Sequence, residues 1–183
     1  MNNQKYVVIA RFDEQMTNRL EQLRKTLHEK GILKKFSQWS PHITFAAYDG
    51  IDIEVLLNWT KQFTQKTRCF EISISSLGIL PPSESYPDTI VLFAAPSPSK
   101  KLIDNYYAFH EKLDCCSGEI GWHYTKKCIH PYPIHSSIGV FEKEQVQKAM
   151  DIILENNIFK LAKITALEVY TYPMKLIERF DLA

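Results

Sequence analysis

Apolar positions along the chain follow two alternating rhythms. Residues 5–11 (KYVVIAR) are an almost unbroken apolar run, which predicts a buried strand. Met16, Leu20, Leu23 and Leu27 then recur at intervals of four, three and four, the signature of one buried helix face. Residues 41–48 (PHITFAAY) read as a second strand, and a second helix starts near Ile53 with Val55, Leu56, Trp59 and Phe63 expected inside. In residues 70–80 (FEISISSLGIL) Phe70, Ile72 and Ile74 alternate with polar neighbours, which predicts a strand closing this half.

The same order then returns. Residues 89–95 (TIVLFAA) read as a strand, and Leu102, Tyr106, Phe109 and Leu113 repeat the spacing of four, three and four. Residues 134–141 (IHSSIGVF) are the next strand, Val146, Met150 and Ile153 mark a further helix, and residues 163–172 (KITALEVYTY) are expected to be the last strand. Each half is therefore strand, helix, strand, helix, strand. The helical quartets starting at Met16 and Leu102 lie 86 residues apart.

Amphipathic helices need an apolar sheet face to cover, so the pattern predicts an α+β fold. The expected architecture is bilobal and pseudo-duplicated. Two antiparallel-type sheets face each other across a central cleft, with helices packed on the outside. Residues 1–183 form one domain, with lobe one at about 1–80, lobe two at about 88–183, and an inserted loop at 114–133. The turn-rich run 81–87 is the nearest thing to a linker.

Two short motifs occupy equivalent points of the halves. Pro41-His42-Ile43-Thr44-Phe45 and Ile134-His135-Ser136-Ser137-Ile138 each contain His-x-(Thr/Ser)-apolar, and the histidines lie 93 residues apart. In a strand, residues i and i+2 share a face. His42 therefore projects with Thr44, and His135 with Ser137, while Ile43 and Phe45 point into the packing. Two imidazoles and two hydroxyls would converge if these strands face each other across the cleft. A lone strand histidine is more commonly a hydrogen-bonded core residue; the pairing favours catalytic use.

That set suits attack on a phosphodiester. With an ordinary pKa near 6.5, one imidazole can take a proton from the nucleophile while the other gives one to the leaving oxygen. The hydroxyls can hold the non-bridging phosphate oxygens. No metal and no cofactor are called for.

The paired motifs in a duplicated α/β chain resemble the two-histidine phosphoesterase superfamily, in particular its bacterial "2′-5′ RNA ligase"-like and cyclic-phosphodiesterase branch. The resemblance implies a metal-independent enzyme that cleaves 2′,3′-cyclic phosphates or 2′-5′ linkages of RNA ends or nucleotides. His42 with Thr44 would form one catalytic pair and His135 with Ser137 the other. Many relatives carry an arginine just upstream of the second motif; this chain has none there. A cyclic oligonucleotide signal, a cyclic phosphate on ADP-ribose, and a nucleotide- or RNA-binding module with little turnover stay open as alternatives.

Aromatic rings stand three residues before each histidine: Trp39 and Tyr132. Either can stack on a nucleobase or pack under the rim of the cleft. The basic stretch from Arg24 to Lys35 precedes the first motif and reads as a solvated helix face or as a steering surface for an RNA end. The insert contains Cys115, Cys116, His123, Cys128 and His130, whose spacing matches no common zinc pattern. A loop or lid is expected there instead, with Gly118 and Gly121 allowing bends.

Charge narrows the partners. Lys and Arg total 22 against 21 Asp and Glu, a net charge of +1, which argues against coating duplex DNA and suits a nucleotide or an RNA end bearing a cyclic phosphate. Four cysteines, two of them adjacent, fit reduced thiols in a cytoplasmic protein. No apolar run has the length of a membrane span, and no exposed apolar stripe demands a partner, so a monomer is expected.

Overall fold

A computed structural model describes residues 4–33, 37–82, 84, 87–125, 127–128, 133–172 and 175–183. The chain is α+β. Its strands are β1 (Lys5–Phe12), β2 (His42–Asp49), β3 (Phe70–Leu80), β4 (Thr89–Pro96), β5 (Ser136–Glu142), β6 (Leu161–Thr171) and β7 (Lys175–Asp181). Its helices are α1 (Glu14–Glu29), α2 (Ile53–Lys66), α3 (Lys100–His110), the one-turn α4 (Gly118–Gly121) and α5 (Val146–Glu155).

The helices form where the periodicity places them. Asp13 caps α1 by accepting the Met16 amide at 2.9 Å, Asp52 caps α2 through the Glu54 amide at 2.8 Å, and Ser99 caps α3 through the Leu102 amide at 3.2 Å. Met16, Leu20, Leu23 and Leu27 are all buried, as are Leu102, Tyr106, Phe109 and Leu113. Each such aliphatic side chain contributes roughly 1.5–3 kcal/mol by leaving water. Val55 departs from expectation: it is 49% exposed. The inward stripe of α2 is Leu56, Thr60, Phe63 and Thr64, and Val55 lies one helical step off it.

All strand pairings are antiparallel, in the order β2-β1-β6-β3-β4-β5, with β7 also on β6. The two expected sheets are therefore joined. The long β3 gives Phe70–Ser73 to β6 and Ile74–Leu80 to β4. Each arm also takes a strand from the opposite half of the sequence, since β6 lies against β1 and the end of β3 lies against β4. The motif-bearing strands β2 and β5 are the outer strands of the two arms, and they come close to one another.

Two boundaries correct the sequence reading. Residues 163–172 are not the last strand, because β7 follows and pairs with β6. Its sequence carries no alternation to detect, since Phe180 is its only buried side chain. The second motif strand begins at Ser136, so His135 stands just before it rather than on it.

Candidate active site

Alternate residues of β1 divide the interior. Tyr6, Val8, Ala10 and Phe12 join the main core, whereas Val7 and Ile9 belong to a second cluster with Ala47, Trp39, Ile120, Tyr124 and Tyr170. On this second face, Arg11 pairs with His42, Ile9 with Thr44 and Val7 with Ala47. A cavity of about 460 Å³ opens there, lined by His42, Thr44 and Ser137 together with Arg24, Trp39 and Tyr124.

The spacing 42, 44, 47 has a cause. The register of β1 against β2 slips between Val8 and Ile9, leaving Phe45 as an extra, buried residue. The register of β4 against β5 slips between Leu92 and Phe93, leaving Ile138 as the extra, buried residue. Both are β-bulges, and both fall immediately after the hydroxyl of the motif. Bulges re-aim side chains and often flank active sites. Here each one turns its apolar residue into the core; His42, Thr44 and Ser137 line the cavity, whereas His135, just before β5, is not among its lining residues.

The two imidazoles are held in the same way. His42 Nδ1 lies 2.8 Å from the Ser40 carbonyl, and His135 Nδ1 lies 2.6 Å from the Pro133 carbonyl. A carbonyl only accepts, so each Nδ1 carries the proton and the lone pair of the neutral ring sits on Nε2. Each ring also has an aromatic neighbour, Trp39 at 5.2 Å from His42 and Phe93 at 4.8 Å from His135. Ser40 is itself pinned: its Oγ accepts from Arg11 at 2.9 Å and donates to Glu21 at 2.8 Å. Arg11 in turn lies 3.7 Å from the buried Glu168, which also accepts from Tyr170 and Arg179.

Burial pushes the His42 pKa down to about 4, against the raising effect of the Ser40 carbonyl; Arg24, Arg11 and His135 lower it further. Burial also lowers His135, opposed by the Pro133 carbonyl. Both rings are therefore neutral at pH 7.

Arg24 departs from the solvated-face reading, since it is 4% exposed. Its guanidinium donates to the Trp39 carbonyl at 2.7 Å and to the Ser137 carbonyl at 2.5 Å, tying the approach to one motif to the strand of the other. Burial lowers its pKa to about 10, which leaves it charged at neutral pH. A cation beside the cleft thus comes from α1, in a chain with no arginine just before the second motif.

The described part of the insert supplies a wall of this cavity. Single 3-10 turns at Asp114–Cys116 and Trp122–Tyr124 flank α4, which packs on β2 and presents Ile120 beside Tyr124. Gly121 makes this approach possible, because a Cβ there would stand 1.9 Å from the Ala47 carbonyl. Gly118 has φ +54°, and a Cβ would collide with the Asp49 carboxylate. Among the described residues no group of three or more His, Cys, Asp or Glu could hold a metal ion. Tyr132, Lys34, Lys35, Lys126 and His130 lie outside the described residues. Trp39 packs between His42 and Tyr170, 4.9 Å from the latter, with the cavity beside it.

A sequence profile of the 2′-5′ RNA ligase superfamily matches residues 12–173. The chain belongs to that superfamily. The likeness to two-histidine phosphoesterases read from the motifs holds at the level of the whole fold. Escherichia coli LigT complexed with 3′-AMP superimposes with a TM-score of 0.60 at 10% identity, covering 100% of this chain and 99% of that one. TT0787 of Thermus thermophilus gives 0.57 at 14% identity, with 97% of each chain covered. Kluyveromyces marxianus Usb1 with uridine monophosphate gives 0.57 at 10% identity, covering 98% of this chain and 99% of that one. No curated protein sequence matches the chain. Among the described residues no helix of this superfamily member is long and apolar enough to cross a membrane.

Proposed function

We propose that the chain is a metal-independent phosphoesterase that hydrolyses 2′,3′-cyclic phosphates or 2′-5′ diesters of RNA ends or nucleotides. The observation that carries this reading is the matched tautomer of the two imidazoles, each with Nδ1–H on a carbonyl two residues back. Such a ring is oriented and presents Nε2 for proton transfer. Nucleotides bound by the structural neighbours, 3′-AMP by LigT and uridine monophosphate by Usb1, support the substrate class.

His42 is the general base and His135 the general acid. Burial lowers the pKa of both rings, and the nearby Arg24, Arg11 and His135 charges lower that of His42 further, which suits His42 to the role of base. Water attacks phosphorus as His42 Nε2 takes its proton. The bond from phosphorus to the 2′ or 3′ ribose oxygen breaks, and His135 delivers a proton to that oxygen. The products are a phosphomonoester and a free hydroxyl, with one water consumed. Thr44 and Ser137 donate to the non-bridging oxygens, and the charge of Arg24 and Arg11 favours the anion.

The test is turnover of 2′,3′-cyclic nucleotides and of a short RNA ending in a 2′,3′-cyclic phosphate, with EDTA present. Wild type should form product, and His42→Ala and His135→Ala should each lose at least about a hundredfold in rate. Full activity in either folded single variant, or loss of wild-type activity on chelation, would sink the reading.

A further inference from the structure

Phe45 is the extra residue of the bulge between β1 and β2, directly after Thr44. An extra residue loses its place in the strand ladder, so its carbonyl needs a donor from elsewhere. His110, the last residue of α3, supplies one: its Nε2 lies 2.7 Å from the Phe45 oxygen. On the other side of the ring, Nδ1 lies 3.3 Å from Oδ1 of Asp114. Neither residue lines the cavity that holds His42. We propose that His110 and Asp114 are positioning residues: the pair clamps the Phe45 carbonyl and thereby sets where β2 aims His42 and Thr44. The kinetic consequence rests on the phosphoesterase reading above, to which the clamp adds two residues that touch no substrate.

The chemistry of the pair places its protons. A carbonyl only accepts, so Nε2 carries a hydrogen. A carboxylate also only accepts, so a second proton stands between Nδ1 and Oδ1, on the ring or on the carboxyl. The opposite tautomer would aim a lone pair at the Phe45 oxygen. His110 ends α3, where the helix dipole favours a cation. The His110 and Asp114 side chains are 1% and 7% exposed, so water does not compete for either contact. A buried ion pair is costly to desolvate and often no more stabilising than an apolar pair of the same size. Here it supplies direction instead.

Helix α3 grips Phe45 at both ends. Tyr106, Phe109 and His110 stand at i, i+3 and i+4 and share one face of the helix. The Phe45 ring packs edge-on against Tyr106 at 5.4 Å and Phe109 at 5.6 Å, while its carbonyl meets His110. Turning the residue out of its bulge would break the apolar contacts and the polar one together. Thr44 and His42 lie one and three residues before it on the same strand, so a change in the bulge reaches both. Asp114 opens the 3-10 turn that leads towards α4, so the same pair also ties the strand to the cavity wall.

The experiment compares two amides. His110→Gln places its side-chain nitrogen near the position of Nε2, whereas His110→Asn, one methylene shorter, places it near Nδ1 and short of Phe45. Both leave Asp114 without its imidazole, so that stability cost is common and the difference isolates the carbonyl contact. With adenosine 2′,3′-cyclic phosphate as substrate, His110→Gln should keep kcat within about threefold of wild type and His110→Asn should lose about tenfold, with KM little changed in either. Asp114→Asn, whose amide can donate to Nδ1 and preserve the Nε2 hydrogen, should behave as His110→Gln does. Equal kcat in the two His110 variants, or a change confined to Tm, overturns the proposal. Where a variant does not fold, NMR of the wild-type imidazole nitrogens decides: a protonated Nε2 on His110 supports the clamp and an unprotonated one overturns it. If wild type does not turn the substrate over, the phosphoesterase reading fails by itself. The clamp is then judged by the NMR titration of His42, which should move in His110→Asn and hold in His110→Gln; identical titrations in the two would overturn it.

Discussion

The guanidinium of Arg24 reaches the carbonyl of Ser137, 113 positions away in sequence, at 2.5 Å. Its second terminal nitrogen, Nη1, donates to the carbonyl of Trp39, three residues before His42. One buried cation therefore ties the approach to β2 to strand β5. Lysine cannot donate to both carbonyls in the same fork geometry. Arg24→Lys should fold and lose about tenfold or more in kcat, with a smaller change in KM. Arg24→Met leaves two carbonyls without their donor and should lower Tm, at a cost of roughly 2–5 kcal/mol. Steady-state kinetics and thermal unfolding of the pair check this; wild-type kcat in Arg24→Lys would show that the tie does not set the reacting geometry.

The proposed mechanism has a defined pH profile. His42 must be neutral to act as base, so kcat/KM should rise as pH climbs through about 4. His135 must be protonated to act as acid, and burial lowers its pKa, so kcat/KM should fall as pH climbs through a value below the usual 6.5. The optimum for kcat/KM is then acidic. An anionic phosphate favours protonated imidazoles, so the kcat profile should lie at higher pH than that of kcat/KM. A kcat/KM optimum at pH 7 or above would contradict the assignment.

Stability should follow the same groups. Between pH 4 and 6.5 the unfolded chain protonates His42 while the folded chain does not, so stability rises with pH across that window. The contribution is at most roughly 3 kcal/mol. Urea unfolding at pH 4.5 and pH 7 should show a smaller difference for His42→Gln than for wild type.

Ser40 orients His42 through its carbonyl, and Arg11 and Glu21 hold Ser40 through its hydroxyl. Ser40→Ala keeps the carbonyl but removes the clamp. An outer-shell loss of this kind is expected to cost about tenfold in kcat, with the pKa of His42, read by NMR titration, moving from its wild-type value. An unchanged titration and rate would show the clamp to be idle.

Gly121→Ala forces a methyl group against the Ala47 carbonyl. Separation of α4 from β2 should lower stability by roughly 1–3 kcal/mol and should weaken nucleotide binding through displacement of Ile120 and Tyr124. Thermal unfolding and ligand titration report the two effects separately.

Much of this fold is legible from periodicity. Residues 70–80 form one strand from end to end, and both helical quartets are buried as their spacing requires. Local patterning succeeds there because each side chain's environment is set by its own element. It fails where the environment comes from afar. Nothing near Arg24 in sequence announces the carbonyl of Ser137, and Ser40 acquires its role only when β1 brings Arg11 alongside. The bulges at Phe45 and Ile138 are equally silent, because an extra buried apolar residue looks like any other core position. The His-x-(Thr/Ser) spacing is readable because it lies within one strand-length of chain.

The exchange of strands between the arms makes each half of the chain incomplete. A polypeptide severed between Leu80 and Thr89 would give one fragment holding β1 and β3 without the β6 that lies between them, and another holding β4 and β6 without the β3 that joins them. Each fragment also carries one histidine motif and not the other. Any reaction that needs both histidines would therefore require the two fragments to reassemble.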